Sequence, residues 1–313
     1  MSDIYDDKSP VVIPFIIKHL EAHRSQHPNE PFFIGLNGVQ GAGKTVLVTS
    51  LKSTLADKGL TTAVFSLDDL YLTHSDQEAL AKANPDNPLL QHRGQPSTHD
   101  IPLALSIFAS LKANKPTRIA KYNKALFSGQ GDRLPPSEWD EVNNPGEPTV
   151  DIVLFEGWCV GFQPLTSSEL RSKHAAAVEA LNNPTSKYCG RLGYNTLESV
   201  LTINDALKQY SELWAYFHTF VHIDAADPLF VYRWRLQQEA TTRREKGAGM
   251  TDEQVENFVN GYYPAYELYT ETLRRGVFRP AREGDQYQTG GWEGRQLRLV
   301  VDEGRKVHET ILI

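Results

Sequence analysis

A chain of 313 residues, 40% hydrophobic and 23% charged, has the composition of an ordinary globular protein and length enough for one sheet-centred domain with insertions. Its formal net charge of −7 argues against a general nucleic-acid binder, and no apolar run approaches membrane-spanning length. Cys159 and Cys189 make neither a metal-ligand spacing nor a disulfide framework, and the opening Met1-Ser2-Asp3-Ile4-Tyr5-Asp6-Asp7 is acidic where a targeting peptide is basic, so a cytoplasmic protein without a membrane partner is expected.

Val12, Phe15, Ile16, Leu20 and His23 fall on one face of an N-terminal helix. Pro31-Phe32-Phe33-Ile34-Gly35-Leu36 then reads as a buried strand entering Gly38-Val39-Gln40-Gly41-Ala42-Gly43-Lys44-Thr45, a G-x-x-x-x-G-K-T phosphate loop, and Val46 to Leu55 carries apolar positions at helical spacing. In such a loop the backbone from Gly38 through Gln40, Gly41, Ala42 and Gly43 curls around a phosphate of ATP, Lys44 reaches the β- and γ-phosphates, and the Thr45 hydroxyl ligates Mg²⁺. After Gly59, Thr61 to Ser66 is a second strand ending at Asp68-Asp69. A polar stretch around Gln91-His92-Arg93-Gly94 follows, and Thr98 is the expected N-cap of a helix running to Asn114. Residues 127 to 148, rich in Gly, Pro, Asn and Asp, should be irregular, whereas Thr149 to Phe155 is a nearly continuous apolar strand closed by Glu156-Gly157-Trp158. Residues 165–200 lack sharp periodicity and read as an insertion, Leu207 to Trp214 as a helix, and Thr219 to Ile223 as a fourth strand ending at Asp224. A charged helix over 227–246 carries Arg233, Arg235, Arg243 and Arg244 and breaks at Gly247-Ala248-Gly249. Thr251 heads a further helix toward Tyr263, and Gln296 to Val301 is the fifth strand.

Buried strands alternating with helices predict a three-layer α/β/α fold around a mainly parallel five-stranded sheet, in one domain spanning 1–313 with a helical lid at about 227–262. Ligands of such sheets bind at the carboxyl edge, where the phosphate loop, Asp68, Asp69 and Glu156 would all arrive. Phosphoryl transfer needs a metal, a placed acceptor hydroxyl and cations around the moving group. Asp68 suits the base that orients the acceptor, and Glu156, helped by Asp68 and Thr45, suits Mg²⁺. Arg233 and Arg235, two apart, cannot point the same way on a helix. The lid reading closes such guanidinium groups on the phosphates, whereas Arg235 also shares a face with Glu239. Arg93, His99, Asp100, Lys121, Tyr122 and Lys124 are candidates for gripping an anionic acceptor.

Gly38 to Thr45, Ser66-Leu67-Asp68-Asp69-Leu70-Tyr71-Leu72-Thr73, Arg93-Gly94-Gln95-Pro96-Ser97-Thr98-His99-Asp100, Phe155-Glu156-Gly157-Trp158 and Tyr232-Arg233-Trp234-Arg235-Leu236-Gln237 occur in an order that resembles the plant- and fungal-type D-glycerate 3-kinases and their yeast ATP-binding kinase-like homologues, within the phosphoribulokinase/uridine kinase group of P-loop kinases. The resemblance implies that Asp68 is the base, that Asp69 and Tyr71 lie on the acceptor side, that Arg233 and Arg235 belong to the lid, and that ATP and Mg²⁺ are used on a small-molecule hydroxyl acceptor. One departure stands out: where the family carries Tyr-Asp-Lys-Ser, this chain has Tyr122-Asn123-Lys124-Ala125. The amide still accepts through its carbonyl but without charge, which keeps a nucleoside or sugar-type acceptor open beside glycerate. An ATPase module without a small acceptor is a further alternative. A guanine-nucleotide switch is not, since it needs N-K-x-D and Asn123-Lys124 is followed by Ala125-Leu126.

Overall fold

The sheet predicted by the apolar runs is present, with one strand more than expected. In the computed structural model, which describes residues 6–247, 249–279 and 291–313, helix α1 (Ser9–Gln26) leads into β1 (Phe32–Gly38), every residue of which is buried. The acidic opening Met1 to Tyr5, and Ala248 of the expected break, lie outside the described residues. Helix α2 (Lys44–Asp57) starts at the phosphate loop and buries Leu47, Leu51 and Leu55. Strand β2 (Thr62–Ser66) passes into a short 3₁₀ turn (Leu67–Leu70), followed by α3 (His74–Ala83) and α4 (Ile101–Lys112). Four short strands come next: β3 (Thr117–Ile119), β4 (Tyr122–Asn123), β5 (Asp132–Arg133) and β6 (Asp140–Val142), pairing β3 with β6 and β4 with β5. The remainder is β7 (Ile152–Gly157), α5 (Ser167–Asn182), α6 (Leu197–Trp214), β8 (Thr219–Ala225), α7 (Phe230–Lys246), α8 (Asp252–Arg275), β9 (Gln296–Val301) and β10 (Val307–Leu312).

The strand order is β10-β9-β8-β1-β7-β2. The five expected strands run parallel, and β10 adds to β9 antiparallel at the edge. The main apolar cluster extends from Val12 in α1 to Val301 in β9, and Leu89, Leu90 and Ile203 form a smaller one.

Four local expectations are corrected. The N-cap of α4 is Asp100, whose carboxylate accepts from Leu103 N–H at 3.0 Å; Thr98 instead donates to Gln95 O at 2.8 Å and accepts from Gly94 N–H at 2.9 Å. The stretch 165–200 contains α5 and the start of α6. Helix α5 escaped the periodicity because only Leu170 and Ala177 on it are buried, although Thr166 and Glu169 form a capping box at its start. Helix α6 begins ten residues before Leu207, capped by Thr196. Helix α8 continues through Pro264 to Arg275, and from Tyr262 on its residues, including Tyr266 and Tyr269, are mostly core. No helix among the described residues is long and apolar enough to cross a membrane.

Candidate active site

Strand register determines what meets at the carboxyl edge. Pairing of β1 with β7 sets Leu36 beside Glu156, and pairing of β2 with β7 sets Ser66 beside Glu156. The loop after β1 and the turn after β2 therefore open where Glu156 ends its strand.

In the loop, Gly41 and Gly43 have φ of 81° and 96°, a region that suits glycine, and Gly43 stands at the N-cap of α2. A Cβ on Gly38 would lie 3.1 Å from Lys44 Cγ. Lys44 Nζ donates to Gly38 O at 2.8 Å and stands 3.9 Å from Glu156 Oε2. Ala42 is buried, Gln40 carries a buried Oε1 without a hydrogen-bond partner, and Thr45 is exposed on the first turn of α2. A glycine-rich loop at a helix N-terminus with a lysine folded across it is an anion cradle that fits a polyphosphate. Glu156 Oε2 and Asp68 Oδ1 are likewise buried without hydrogen-bond partners. Carboxylate oxygens left free beside such a loop fit Mg²⁺, which takes one or two carboxylates and completes its shell with phosphate oxygens and water. Among the described residues no three His, Cys, Asp or Glu side chains gather as an all-protein metal cage.

The 3₁₀ turn sets the two neighbouring aspartates to different tasks. Asp69 turns back to accept from Ser66 N–H at 2.9 Å, closing a capping box, and burial pushes its carboxyl up to about 6, with the Asp68 charge adding to the rise. Asp68 instead pairs through Oδ2 with the Lys124 ammonium. Burial disfavours its charge, but Lys124 outweighs burial, aided by His99 and Lys44, and holds the carboxyl below its ordinary value.

Around Asp68 stand rings. Tyr71 is buried and stacks on His99 with centroids 4.4 Å apart. His99 Nδ1 is 2.7 Å from Tyr210 Oη, while its Nε2 is buried without a partner; burial drives this histidine down to about 3, so it is neutral at pH 7. Trp158 meets Tyr262 and Tyr266 edge-on at 4.9 and 5.6 Å. The remaining acceptor-side candidates have structural partners. Arg93 donates to the carbonyls of Gly129 (2.8 Å) and Gln130 and lies 5.6 Å from the Tyr122 ring centroid, Tyr122 Oη donates to Gln130 O at 3.3 Å, and Lys121 pairs with Asp140.

Arg233 and Arg235 diverge, as their spacing requires. Arg235 faces inward, with its guanidinium 5.0 Å from the Phe258 ring centroid and 3.4 Å from Glu239 Oε2, and its Nε is buried without a partner. Arg233 is exposed and pairs with Glu303 in the turn between β9 and β10. Arg243 bridges α7 to Asp252 at the start of α8, 2.7 Å away. The sequence positions therefore converge as one group, the loop with Lys44, Glu156, Asp68, Tyr71 and His99, while Lys121 and Arg233 are engaged elsewhere.

Comparison with known proteins bears on this geometry. No protein-family model matches the chain. A D-glycerate 3-kinase from Cryptococcus neoformans superposes with a TM-score of 0.84 at 34% identity, over 99% of this chain and 100% of that one. A kinase of Schizosaccharomyces pombe is 38% identical over 269 residues, 85% of this chain and 91% of the relative. The chain belongs to the D-glycerate 3-kinase family of P-loop kinases. A chloroplastic D-glycerate 3-kinase of Arabidopsis thaliana is 37% identical over 248 residues, 78% of this chain, although these make up 48% of that longer relative. The protein is accordingly an ATP-dependent phosphotransferase with a hydroxyl acceptor.

Three features of this kinase were not assigned from sequence. Arg305, in the β9–β10 turn, donates from Nε to Gly41 O at 2.6 Å and lies 5.2 Å from the Trp234 ring centroid, so the phosphate loop is braced by the far end of the chain. Arg133 joins Asp100 (3.0 Å) to the Tyr71 carbonyl (2.8 Å), tying the cap of α4 to the segment after Asp68. Asn123 accepts through Oδ1 from Ala125 N–H at 3.0 Å, a turn-shaping bond that an aspartate at this position would also make. None has a periodic signature; Arg305 and Asn123 act from turns and short strands.

Proposed function

We propose that this kinase transfers the γ-phosphate of ATP to a hydroxyl of D-glycerate, giving 3-phosphoglycerate. The observation that carries the reading is Asp68, a carboxylate with one unpartnered oxygen at the mouth of the phosphate loop and one cation, Lys124, beside it. In this mechanism the backbone of Gly38 to Thr45 and the Lys44 ammonium bind the β- and γ-phosphates, and Thr45, Glu156 and Asp68 hold Mg²⁺. When bound, Mg²⁺ neutralises charge on the phosphate oxygens. Asp68 orients the acceptor hydroxyl and takes its proton, while neutral His99 offers Nε2 to a second acceptor oxygen. Arg235 supplies positive charge from the lid, and Asp69 acts by shaping the turn beneath Asp68. Arg93 and Tyr122 act by holding the loop that carries Lys124, and Lys121 stays outside the acceptor site.

Glycerate is favoured over a nucleoside because the rings near Asp68 already close on one another, Tyr71 on His99 and Trp158 on Tyr262 and Tyr266. The same reading makes the protein one domain and a cytoplasmic enzyme of a small molecule, without nucleic-acid or membrane partners, supported by the charge of −7 and by two cysteines that remain free thiols.

The test incubates purified protein with ATP, Mg²⁺ and D-glycerate and follows ADP release. Release should depend on glycerate, and Asp68→Asn should keep ATP binding while losing about 10²–10⁴-fold in rate. Absence of glycerate-dependent release in the wild type rejects the acceptor, and full turnover in Asp68→Asn removes that carboxylate from the mechanism.

A further inference from the structure

Several arginines of the helices and the sheet are neutralised within the fold: Arg235 faces Glu239, Arg243 faces Asp252, and Arg274 and Arg298 share Asp224. Arg305 is not. Among the described residues no carboxylate pairs with it, its two Nη groups make no hydrogen bond, and burial works against its charge with nothing acting in return. Its position is nevertheless fixed. The backbone has φ of 65°, a left-handed value that a non-glycine residue adopts at a cost; its N–H donates to Asp302 O at 2.9 Å, and its carbonyl accepts from the buried Lys8 ammonium at 2.6 Å. The side chain is held at Nε by Gly41 O and on one side by the buried Trp234 ring, whose own Nε1 donates to Glu303 O at 2.7 Å. A half-buried cation fixed to the phosphate loop, with no anion of the protein beside it, points to a ligand.

We propose that Arg305 is the platform for the adenine of ATP, completing with Trp234 a stack of indole, guanidinium and base at the rim of the phosphate loop. The groups of such a loop that meet phosphate are its N–H groups, so an arginine bonded to the Gly41 carbonyl stands on the loop's outer side, toward the nucleoside rather than the β- and γ-phosphates. A guanidinium backed on one side by Trp234 offers its other side as a flat, positively charged surface, which matches the π-face of a purine. The turn between β9 and β10 then serves the nucleotide twice: Arg305 meets the base, while Glu303 pairs with Arg233 on α7. The inference concerns the nucleotide and stands whatever the acceptor is.

The test measures dissociation constants for ATP and UTP with Mg²⁺ and without acceptor, by titration calorimetry, on the wild type, Arg305→Gln and Arg305→Ala. Both nucleotides carry the same triphosphate, so any change in the charge felt by the phosphates cancels in their ratio. Glutamine carries its amide nitrogen where arginine carries Nε, so it keeps a donor for Gly41 O and removes the guanidinium beyond it. The wild type should prefer ATP. Arg305→Gln should weaken ATP about tenfold and UTP much less, bringing the two toward parity, and Arg305→Ala should weaken both nucleotides further by also releasing the loop. A brace with no ligand role would leave Arg305→Gln like the wild type and make Arg305→Ala weaken both nucleotides by one factor, and that result overturns the proposal. Equal losses for ATP and UTP in Arg305→Gln place the guanidinium on the phosphates and overturn it too, as does a wild type that binds UTP as tightly as ATP.

Discussion

At the phosphate loop, a backbone conformation and a packing contact fall on the same residue. Gly41 has φ of 81°, and a Cβ placed there would stand 2.6 Å from Trp234 Cβ in α7. Gly59, just beyond α2, has a similar φ of 73° with nothing within 4 Å. Alanine at either position bears a left-handed penalty of about 1–2 kcal/mol, but only Gly41→Ala also forces the loop away from α7. Gly41→Ala should therefore lose ATP affinity beyond any loss of stability, whereas Gly59→Ala should lower the melting temperature and leave ATP affinity unchanged. Titration calorimetry with ATP, paired with thermal melts, separates the two; equal affinities for both variants would detach the contact with Trp234 from nucleotide binding. The residues legible in the sequence were those whose place follows from a strand end: Asp68 and Glu156 close apolar runs, so the sheet edge assigns them without a contact map. Lys124 was one of six acceptor candidates, and only its pairing with Asp68 distinguishes it from Lys121, three residues away and tied to Asp140.

Elements were legible in proportion to how many of their faces are buried. Strands β1 and β8, buried along their whole length, carry apolar runs, broken in β8 by His222, whereas β10 has its middle residues His308, Glu309 and Thr310 exposed and left no pattern to find. The same reasoning applies within α8, whose first turns bury only Val255 and Val259 and whose later turns, from Tyr262 on, are core. A capping box closes its start: Thr251 accepts from Gln254 N–H at 3.2 Å, and Gln254 Oε1 accepts from Thr251 N–H at 2.8 Å. Thr251→Ala should loosen only this end, by about 1 kcal/mol. Amide exchange near Val255 and Glu256 should then quicken roughly fivefold for that loss, while Tyr266 and Tyr269 keep their protection. Uniform acceleration along α8 would mean that its two ends open together.

Over the whole molecule, histidines in separate regions are held neutral by burial. His99, at the acceptor side, and His218, before β8, are driven down to about 3, and His222, within β8, to about 4; His19 and His23 in α1 shift the same way. His218 shows why neutrality matters locally, because its Nδ1 accepts from Phe33 N–H at 2.9 Å and cannot do so when protonated. A histidine whose folded value lies below its unfolded value of about 6.5 contributes stability in full above that pH, and the contribution is lost as pH falls toward the folded value, since the unfolded chain binds the proton first. Asp69, raised to about 6, acts in the opposite sense between its unfolded value of about 4 and 6, but it is one group against several. Stability of the nucleotide- and metal-free protein should therefore fall steadily as pH drops from 6.5 to 4.5. His218→Gln keeps an acceptor for Phe33 N–H and removes one titrating group, so it should flatten that slope by up to about 1.4 kcal/mol per pH unit. Urea unfolding midpoints at several pH values measure this directly, and a His218→Gln slope equal to that of the wild type would place the acid sensitivity elsewhere in the molecule.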